Sequence, residues 1–258
     1  MEPVSTMWLA QKGARPVGVF LLSTALLISQ AVVLSGQNSR LPSVEEELQR
    51  HGIDLTEASL VAALANEDGK VRGLAAQRLA DVKATNTIPA IEEALSRESQ
   101  PLVKANIAYA LAQLGDSKGR DSLEQTCQSG DVAPWFRMFA AQYLLTLGVE
   151  TCQGPVLDLL SGNDDEGRAQ ALSLLPRFHD LDAKERVKML QRARLCLLAR
   201  TPAVRMAASQ ALRELGGVAA IPYLERAITA ETEDAVRSWL QADLVKLQKL
   251  QQQNASAP

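Results

Sequence analysis

The sequence predicts an all-α fold in which about six helical hairpins stack into a right-handed α-α superhelix behind an N-terminal hydrophobic segment. Ala and Leu dominate the composition, whereas aromatic residues make up only 4%, which favours helix over sheet. One amphipathic motif returns along the chain at intervals between 31 and 37 residues. A second apolar-periodic stretch follows the motif in most units, so each unit is a hairpin that buries its apolar face only against neighbouring hairpins.

Composition and charge exclude several classes of protein. A hydrophobic content of 47% with 22% charged residues excludes a disordered chain, a collagen-like chain and a polytopic membrane protein. The 27 basic and 30 acidic residues give a net charge of -3, so we expect no nucleic acid among the partners. Three cysteines cannot form a disulfide framework.

Residues 1–36 are predicted to be a signal peptide or an N-terminal membrane anchor. Residues 16–39 carry no charge, and Lys12 and Arg15 stand just before this run. A positive flank on the amino side keeps that side in the cytoplasm and sends the remainder across the membrane. We therefore expect an exported protein, in the periplasm or the cell envelope.

Whether this segment is cleaved stays open. Residues 29–31 and residues 33–35 each consist of two small residues separated by one other residue. This is the pattern that a signal peptidase requires. Residues 17–34, at about 1.5 Å each, nearly cross a bilayer core, so an uncleaved chain would be attached to the membrane through them. Residues 37–42 read as a polar linker, 43–250 as the repeat array and 251–258 as a flexible tail.

The repeated motif is a basic residue followed by a small or apolar residue three positions later and leucine seven positions later. The basic residues are Arg72, Lys104, Arg137, Arg168, Arg205 and Arg237. Offsets of -1, +3, +7 and +10 from the basic residue lie on one helical face, which we expect to be buried. This expectation places Val82, Phe136 and Leu244 in the core.

The elements around the motif follow from local signals. Ser43 and Glu46 form a capping box for a first helix that stops at Gly52, and a second helix runs from Thr56 to Leu64. The second helices of the hairpins are expected at 89–95, 122–127, 155–160, 184–198 and 222–228. Pro176 interrupts the fourth motif helix, and a longer connection should follow.

The motif resembles HEAT repeats. The stretches VRGLAAQRL at 71–79 and VRMAASQAL at 204–212, with Pro89 and Pro222 opening the following helices, carry the likeness. The short period is most similar to the HEAT-like subtype first described in phycobilisome lyases. This resemblance implies a non-catalytic scaffold or adaptor, not an enzyme. Two alternatives are a chromophore-lyase-like enzyme or chaperone and a membrane-anchored assembly factor.

The resemblance also implies a ladder of charge pairs through the stack. Carboxylates lie four positions before three of the basic residues, at Asp68, Asp164 and Glu233. Other residue types occupy this place in the other three units, so the ladder is partial. Its role is expected to be structural pairing inside the array.

Candidate chemistry along the chain is sparse, and we expect no catalytic residue, cofactor or metal. His51 and His179 stand near helix ends, where a cation suits the helix dipole. The acidic run at 164–166 reads as an N-terminal cap. The three cysteines are expected to be buried free thiols. In an oxidising compartment, a Cys127–Cys152 pair across neighbouring hairpins is the alternative.

A partner-binding groove is expected on the concave side of the array, with a protein or peptide as its occupant. In HEAT-like arrays the motif helix usually faces this side, and offset +5 points away from the core. An aromatic cluster at 135–143 adds large side chains there, although good core packing also explains it. The candidate partner-binding residues are Tyr109, Gln142, Tyr143, Gln77 and Gln210.

Overall fold

A computed structural model describes residues 42–256, which form thirteen α-helices, three short 3-10 helices and no strand. The 3-10 helices span Thr85–Thr87, Leu175–Arg177 and Gly217–Ala220. The α-helices are α1 (Val44–Arg50), α2 (Glu57–Ala63), α3 (Gly69–Asp81), α4 (Ile88–Arg97), α5 (Pro101–Gln113), α6 (Ser117–Gln128), α7 (Pro134–Thr146), α8 (Gln153–Ser161), α9 (Asp165–Leu174), α10 (Ala183–Cys196), α11 (Pro202–Gly216), α12 (Ile221–Ala230) and α13 (Asp234–Ser256). The all-α prediction is confirmed.

The helices form two rows. The motif row consists of the six helices that carry the basic residue, α3, α5, α7, α9, α11 and α13, and each packs against the next. The outer row consists of α4, α6, α8, α10 and α12, which alternate with the motif helices along the chain. Within the outer row, α6 packs on α8 and α8 on α10.

The core follows the motif as predicted at the +3 and +7 offsets. All six side chains at +3 are fully buried, and at +7 the leucines from Leu79 to Leu212 are buried. Leu244 is only half-buried, contrary to expectation, because no further hairpin packs on this last motif helix within residues 42–256. Val82 is 48% exposed and not in the core, because it lies at the C-cap of α3, where Lys83 turns the chain with a positive φ.

Phe136 was also expected in the core and is only half-buried. It lies in the first turn of α7, and Met138, two residues later, is the fully buried side chain there. Helical side chains point toward the helix N-terminus, so a ring in the first turn extends past the start of the helix.

Local signals set the helix ends. Ser43 and Glu46 form the predicted capping box at the start of α1, and Thr56 caps α2. After α9 the chain forms the 3-10 helix that contains Pro176, and α10 begins only at Ala183. The longer connection after Pro176 was predicted.

The two predicted terminal segments differ in outcome. Residues 251–256, predicted to belong to a flexible tail, continue α13 as helix. The signal peptide or anchor at 1–36, and residues 37–41 of the linker, lie outside the described residues. Among residues 42–256, no helix combines the length and the apolar character needed to cross a membrane.

Candidate functional site

Two tyrosines from neighbouring motif helices stack on each other. Tyr109 of α5 and Tyr143 of α7 have ring centroids 4.4 Å apart and ring planes 12° from parallel. Both side chains are half-buried and pack against the hydrophobic core. The sequence had placed them 34 positions apart in separate units, and the stacking of the motif row brings them together.

Asn106 holds Tyr143 in place through a hydrogen bond. The Tyr143 hydroxyl donates a hydrogen bond to Asn106 Oδ1 at 2.5 Å. Gly73 of α3 leaves room for Asn106, because a Cβ on Gly73 would lie 3.3 Å from the amide nitrogen. Sequence reasoning missed Asn106, and its only signal was a polar residue at the +2 offset of a motif helix, where most other units have an apolar one.

Burial raises the pKa of both phenols above its ordinary value. It raises the pKa of Tyr143 strongly, and the nearby Tyr109 adds to this shift. Burial also raises the pKa of Tyr109, as does the carboxylate of Asp81, whereas Arg177 acts in the opposite direction. The pair therefore presents an aromatic surface with one hydroxyl committed to Asn106 and with charges of both signs near Tyr109.

Arg177 reaches this surface because of the irregular fourth unit. It belongs to the 3-10 helix that follows α9, and its Nη2 donates to Thr146 Oγ1 of α7 at 3.1 Å. The proline that ends α9 thus places a guanidinium beside the end of the neighbouring motif helix.

The other three candidate residues lie on the same row of motif helices. Gln77 of α3, Gln142 of α7 and Gln210 of α11 are all half-buried. Gln210 donates from Nε2 to Glu214 Oε1 of its own helix at 3.2 Å. Together the candidates follow the motif row from the first unit to the fifth, and Tyr109 and Tyr143 are in direct contact.

A second aromatic pair lies within α7. The rings of Trp135 and Phe139 meet edge to face with centroids 5.4 Å apart and planes at 83°. Trp135 packs against the core. Of the aromatic cluster, then, Tyr143 belongs to the inter-helix stack, whereas Trp135 and Phe139 contact each other.

Charge pairs link successive units, and of the three predicted carboxylates Glu233 takes part in them. Arg72 contacts Glu98 at 2.6 Å, and Arg205 contacts Glu231 at 2.6 Å, each across 26 positions. Asp68 and Asp164, expected in the ladder, instead cap α3 and α9 by accepting from backbone amides. Glu233 contacts Arg205 of the preceding unit at 2.9 Å, which is the pairing through the stack that the ladder implied.

The family assignment follows from the sequence match. Residues 57–148 and 154–244 match the model of HEAT repeats. The chain belongs to the HEAT repeat family. No curated protein sequence matches it significantly.

Two solved structures are similar to this HEAT repeat protein. An engineered protein of the Northeast Structural Genomics Consortium is 19% identical, covering 75% of this chain and 96% of its own, with a TM-score of 0.46. The complex of CpcE and CpcF of phycocyanin lyase from Nostoc sp. PCC7120 is 24% identical, covering 78% of this chain and 80% of its own, with a TM-score of 0.46.

The histidines and the acidic run of the HEAT array have structural partners. His51 is the C-cap of α1 and lies 3.8 Å from Glu47, and the exposed ring of His179 lies 3.1 Å from Glu150. Burial alone would raise the pKa of Glu150, but hydrogen bonds from Asp180 and His179 lower it. Asp164 caps α9 as predicted. Residues 42–256 contain no group of three or more His, Cys, Asp or Glu that could hold a metal ion.

Two of the three cysteines are bonded to each other, contrary to the expectation of free thiols. Cys127, near the end of α6, forms a disulfide with Cys152, the N-cap of α8, across 25 positions. This bond joins two neighbouring HEAT hairpins and matches the alternative for an oxidising compartment. Cys196 is free and buried, and burial raises the pKa of its thiol.

A cleft opens between α10 and α12 in the outer row of the HEAT array. It encloses about 210 Å³, with Leu190 and Leu212 among its lining residues. On one side, the Arg194 guanidinium lies 3.7 Å from the centroid of the Tyr223 ring. Sequence reasoning did not predict this cleft, because its walls come from α10, α11, the 3-10 helix at Gly217–Ala220 and α12, which meet only in the folded array.

Proposed function

We propose that this HEAT repeat protein is a non-catalytic scaffold or adaptor that binds a protein or peptide partner along its motif row. The observation that carries the proposal is the Tyr109–Tyr143 stack, which is half-buried and spans two neighbouring units. Large aromatic side chains in the middle of an interface commonly supply most of its binding energy.

The packing of the two rows supports a groove on the motif side. Helices in a curved array approach each other most closely on the inner side, and the motif helices pack together continuously from α3 to α13. The row carries hydrogen-bonding amides at Gln77, Gln142 and Gln210, which suit a polypeptide backbone better than a phosphate.

The roles of the titratable groups support a non-catalytic function. His51 caps a helix, His179 contacts Glu150, and Asp164 caps another helix. The carboxylates of Glu98 and Glu231 are held by arginines inside the array. These groups are committed to structure, which favours the scaffold over the chromophore-lyase alternative.

We infer further that the protein works in an exported location. The Cys127–Cys152 disulfide supports this, because such bonds persist in oxidising compartments and are rare in the cytosol. The uncharged run at 16–39 behind Lys12 and Arg15 supplies the export signal. N-terminal sequencing of the mature protein distinguishes a secreted form, beginning near residue 36, from a membrane-anchored assembly factor that retains residues 17–34.

The experiment on the motif row compares two double variants as bait in cross-linking pull-downs from envelope extract. Tyr109→Ala with Gln142→Ala should lower the recovery of a direct partner more than tenfold, equivalent to about 1.4 kcal/mol. Tyr143 is left intact because its hydrogen bond to Asn106 supports the fold. The control, Glu93→Ala with Arg97→Ala, removes an exposed ion pair on α4 and should retain the partner. If the control loses the partner and the aromatic variant keeps it, the motif row is not the binding surface.

A further inference from the structure

The segment at 183–200 has a charge opposite to that of the whole chain. It contains six basic residues and one carboxylate, whereas acidic residues outnumber basic ones by 30 to 27 overall. The carboxylate, Glu185, is engaged in the capping box with Asp182 at the start of α10. The segment is therefore a local positive patch on an acidic protein.

The same segment exposes large apolar side chains. Val187 is 51% exposed, Leu195 64% and Leu198 75%, and these are three of the six large hydrophobic residues exposed among residues 42–256. At 3.6 residues per turn, positions 187, 191 and 195 share one stripe of α10, and Leu198 follows in the turn after the helix ends at Cys196. The opposite side of α10 is the buried one, with Met189, Ala193 and Cys196 in the core.

Basic side chains flank this stripe. Lys184, Lys188 and Arg192 are exposed, and no carboxylate of residues 42–256 lies within ion-pair distance of them. Two other arginines of α10 have partners within the protein: Arg186 donates to the Leu215 carbonyl, and Arg194 lies over the Tyr223 ring. The α10 face, defined as residues 184, 187, 188, 191, 192, 195 and 198, thus combines free cations with protruding apolar groups.

We propose that the α10 face rests on an anionic membrane surface. Lys and Arg attract anionic headgroups while Val and Leu side chains enter the boundary between headgroups and acyl chains, as in interfacial amphipathic helices. α10 packs on α11 of the motif row, and its buried side holds Met189, Ala193 and Cys196, so its exposed face stays available when the motif row of the proposed function is occupied.

Charge complementarity and protrusion favour a membrane over an acidic protein as the occupant. A bilayer is nearly flat at this scale, and Leu195 and Leu198 are the two most exposed large apolar side chains among residues 42–256, at 64% and 75%. Val187 is also exposed and lines the cleft beside α10. The predicted export or anchor segment at 17–34 would bring the chain to a membrane, and a retained segment would hold the α10 face close to it.

The test places an environment-sensitive fluorophore on the full chain at Gln191→Cys and, as a matched control, at Ser96→Cys on α4. Both residues are exposed on outer-row helices. The native cysteines are disulfide-bonded or buried, so the introduced thiol is the one that reacts. The labelled proteins are mixed with vesicles of phosphatidylcholine alone, or with 30% brominated phosphatidylglycerol, which quenches probes that enter the headgroup boundary.

Quenching at position 191 should exceed that at position 96 at least threefold in the anionic vesicles, and high salt should remove most of the difference. Replacing both Lys188 and Arg192 by Gln should reduce quenching at 191 to the level of position 96. The proposal fails if position 191 is quenched no more than position 96, or if the Gln variant is quenched fully. A label at 191 that responds to poly-glutamate but not to vesicles would assign the face to an acidic protein and overturn the membrane proposal.

Discussion

Arg205 and Glu231 form a buried ion pair that ties one HEAT unit to the next. Arg205 Nε donates to Glu231 Oε2 at 2.6 Å, and Nη2 donates to Oε1 at 3.0 Å. The other guanidinium nitrogen, Nη1, donates to the carbonyls of Ala199 and Arg200 at the start of its own unit. The guanidinium thus connects the loop before α11 with the loop before α13, and Arg72 and Glu98 repeat the arrangement near the other end of the array.

Replacing Glu231 by Gln should lower the free energy of unfolding at pH 7 by about 1 to 3 kcal/mol, because the amide nitrogen cannot accept from Arg205. The hydrogen bond from Arg205 lowers the pKa of Glu231 despite burial. A lowered pKa means that the stabilisation is complete above the unfolded pKa of about 4.3 and is lost as pH falls through the folded value. Chemical denaturation of both proteins should therefore show a difference that is constant above pH 6 and shrinks toward acid.

Glu233→Gln provides the control for this pH dependence. Glu233 also contacts Arg205, at 2.9 Å, but its side chain is 51% exposed. Exposed ion pairs contribute about 0 to 1 kcal/mol, so the variant should unfold almost like the wild type. Equal losses in both variants would show that burial of the Glu231 carboxylate does not determine its contribution.

Residues whose environment is local were predictable from the sequence. The leucines at offset +7 are buried from Leu79 to Leu212 because the helical period alone defines their face. The predicted burial of Leu244 and Val82 was wrong. Their burial depends on whether a neighbouring element covers that part of the helix. The Arg72–Glu98 pair was not predicted from the sequence, because its partners lie 26 positions apart and meet only when the helices pack together.

The candidate site was predictable in its residues but not in its geometry. Offsets placed Tyr109 and Tyr143 on the motif row, yet a period of 3.6 residues carries no information on which rings of different helices meet. Asn106 accepts a hydrogen bond from the Tyr143 hydroxyl, and this role cannot be recognised until the packing of α5 on α7 is known. Whether Cys127 and Cys152 form a disulfide depends on whether the compartment is oxidising, and the composition does not determine the compartment.

Truncating a buried motif leucine should destabilise the array strongly. Leu111 and Leu144 are fully buried at equivalent positions of α5 and α7. Replacing either by Ala should cost about 2 to 5 kcal/mol, from lost transfer energy and the cavity left behind. Val82→Ala, at an exposed position, should change stability by less than about 0.5 kcal/mol. Urea denaturation followed by circular dichroism measures all three, and a loss at Leu111 no larger than that at Val82 would contradict the assigned buried face.

Reducing the Cys127–Cys152 disulfide should lower the free energy of unfolding by about 3 kcal/mol. The bond closes a loop of 25 positions that includes all of α7, and its loss restores chain entropy to the unfolded state. Urea denaturation with and without a phosphine reductant measures the difference. The double variant Cys127→Ser with Cys152→Ser should show the lower stability under both conditions, which separates the disulfide from other effects of the reductant.

Thiol counting checks the same bond without reference to stability. Under denaturing conditions the unreduced protein should react with one equivalent of an alkylating reagent, at Cys196, and with three equivalents after reduction. In the folded state even Cys196 should react slowly, because it is buried and its raised pKa leaves little thiolate. Three reactive thiols in the unreduced, denatured protein would show that the disulfide is not formed.

Removing the Asp243 carboxylate should loosen the end of the array selectively. Asp243 of α13 is buried and accepts from Ser209 Oγ at 2.9 Å and from Arg213 Nε at 2.8 Å, both on α11. Asp243→Ala leaves the buried Ser209 hydroxyl and the partly buried Arg213 guanidinium without this acceptor, at a cost of about 1 to 3 kcal/mol. In a repeat array each unit contacts only its neighbours, so hydrogen exchange should accelerate in α13 and the end of α11 while α3 stays unchanged.

Asp234→Ala is the control, because Asp234 lies at the exposed start of the same helix and contacts only Arg237 among the charged groups described. Uniform acceleration along the whole array would contradict a local role for Asp243.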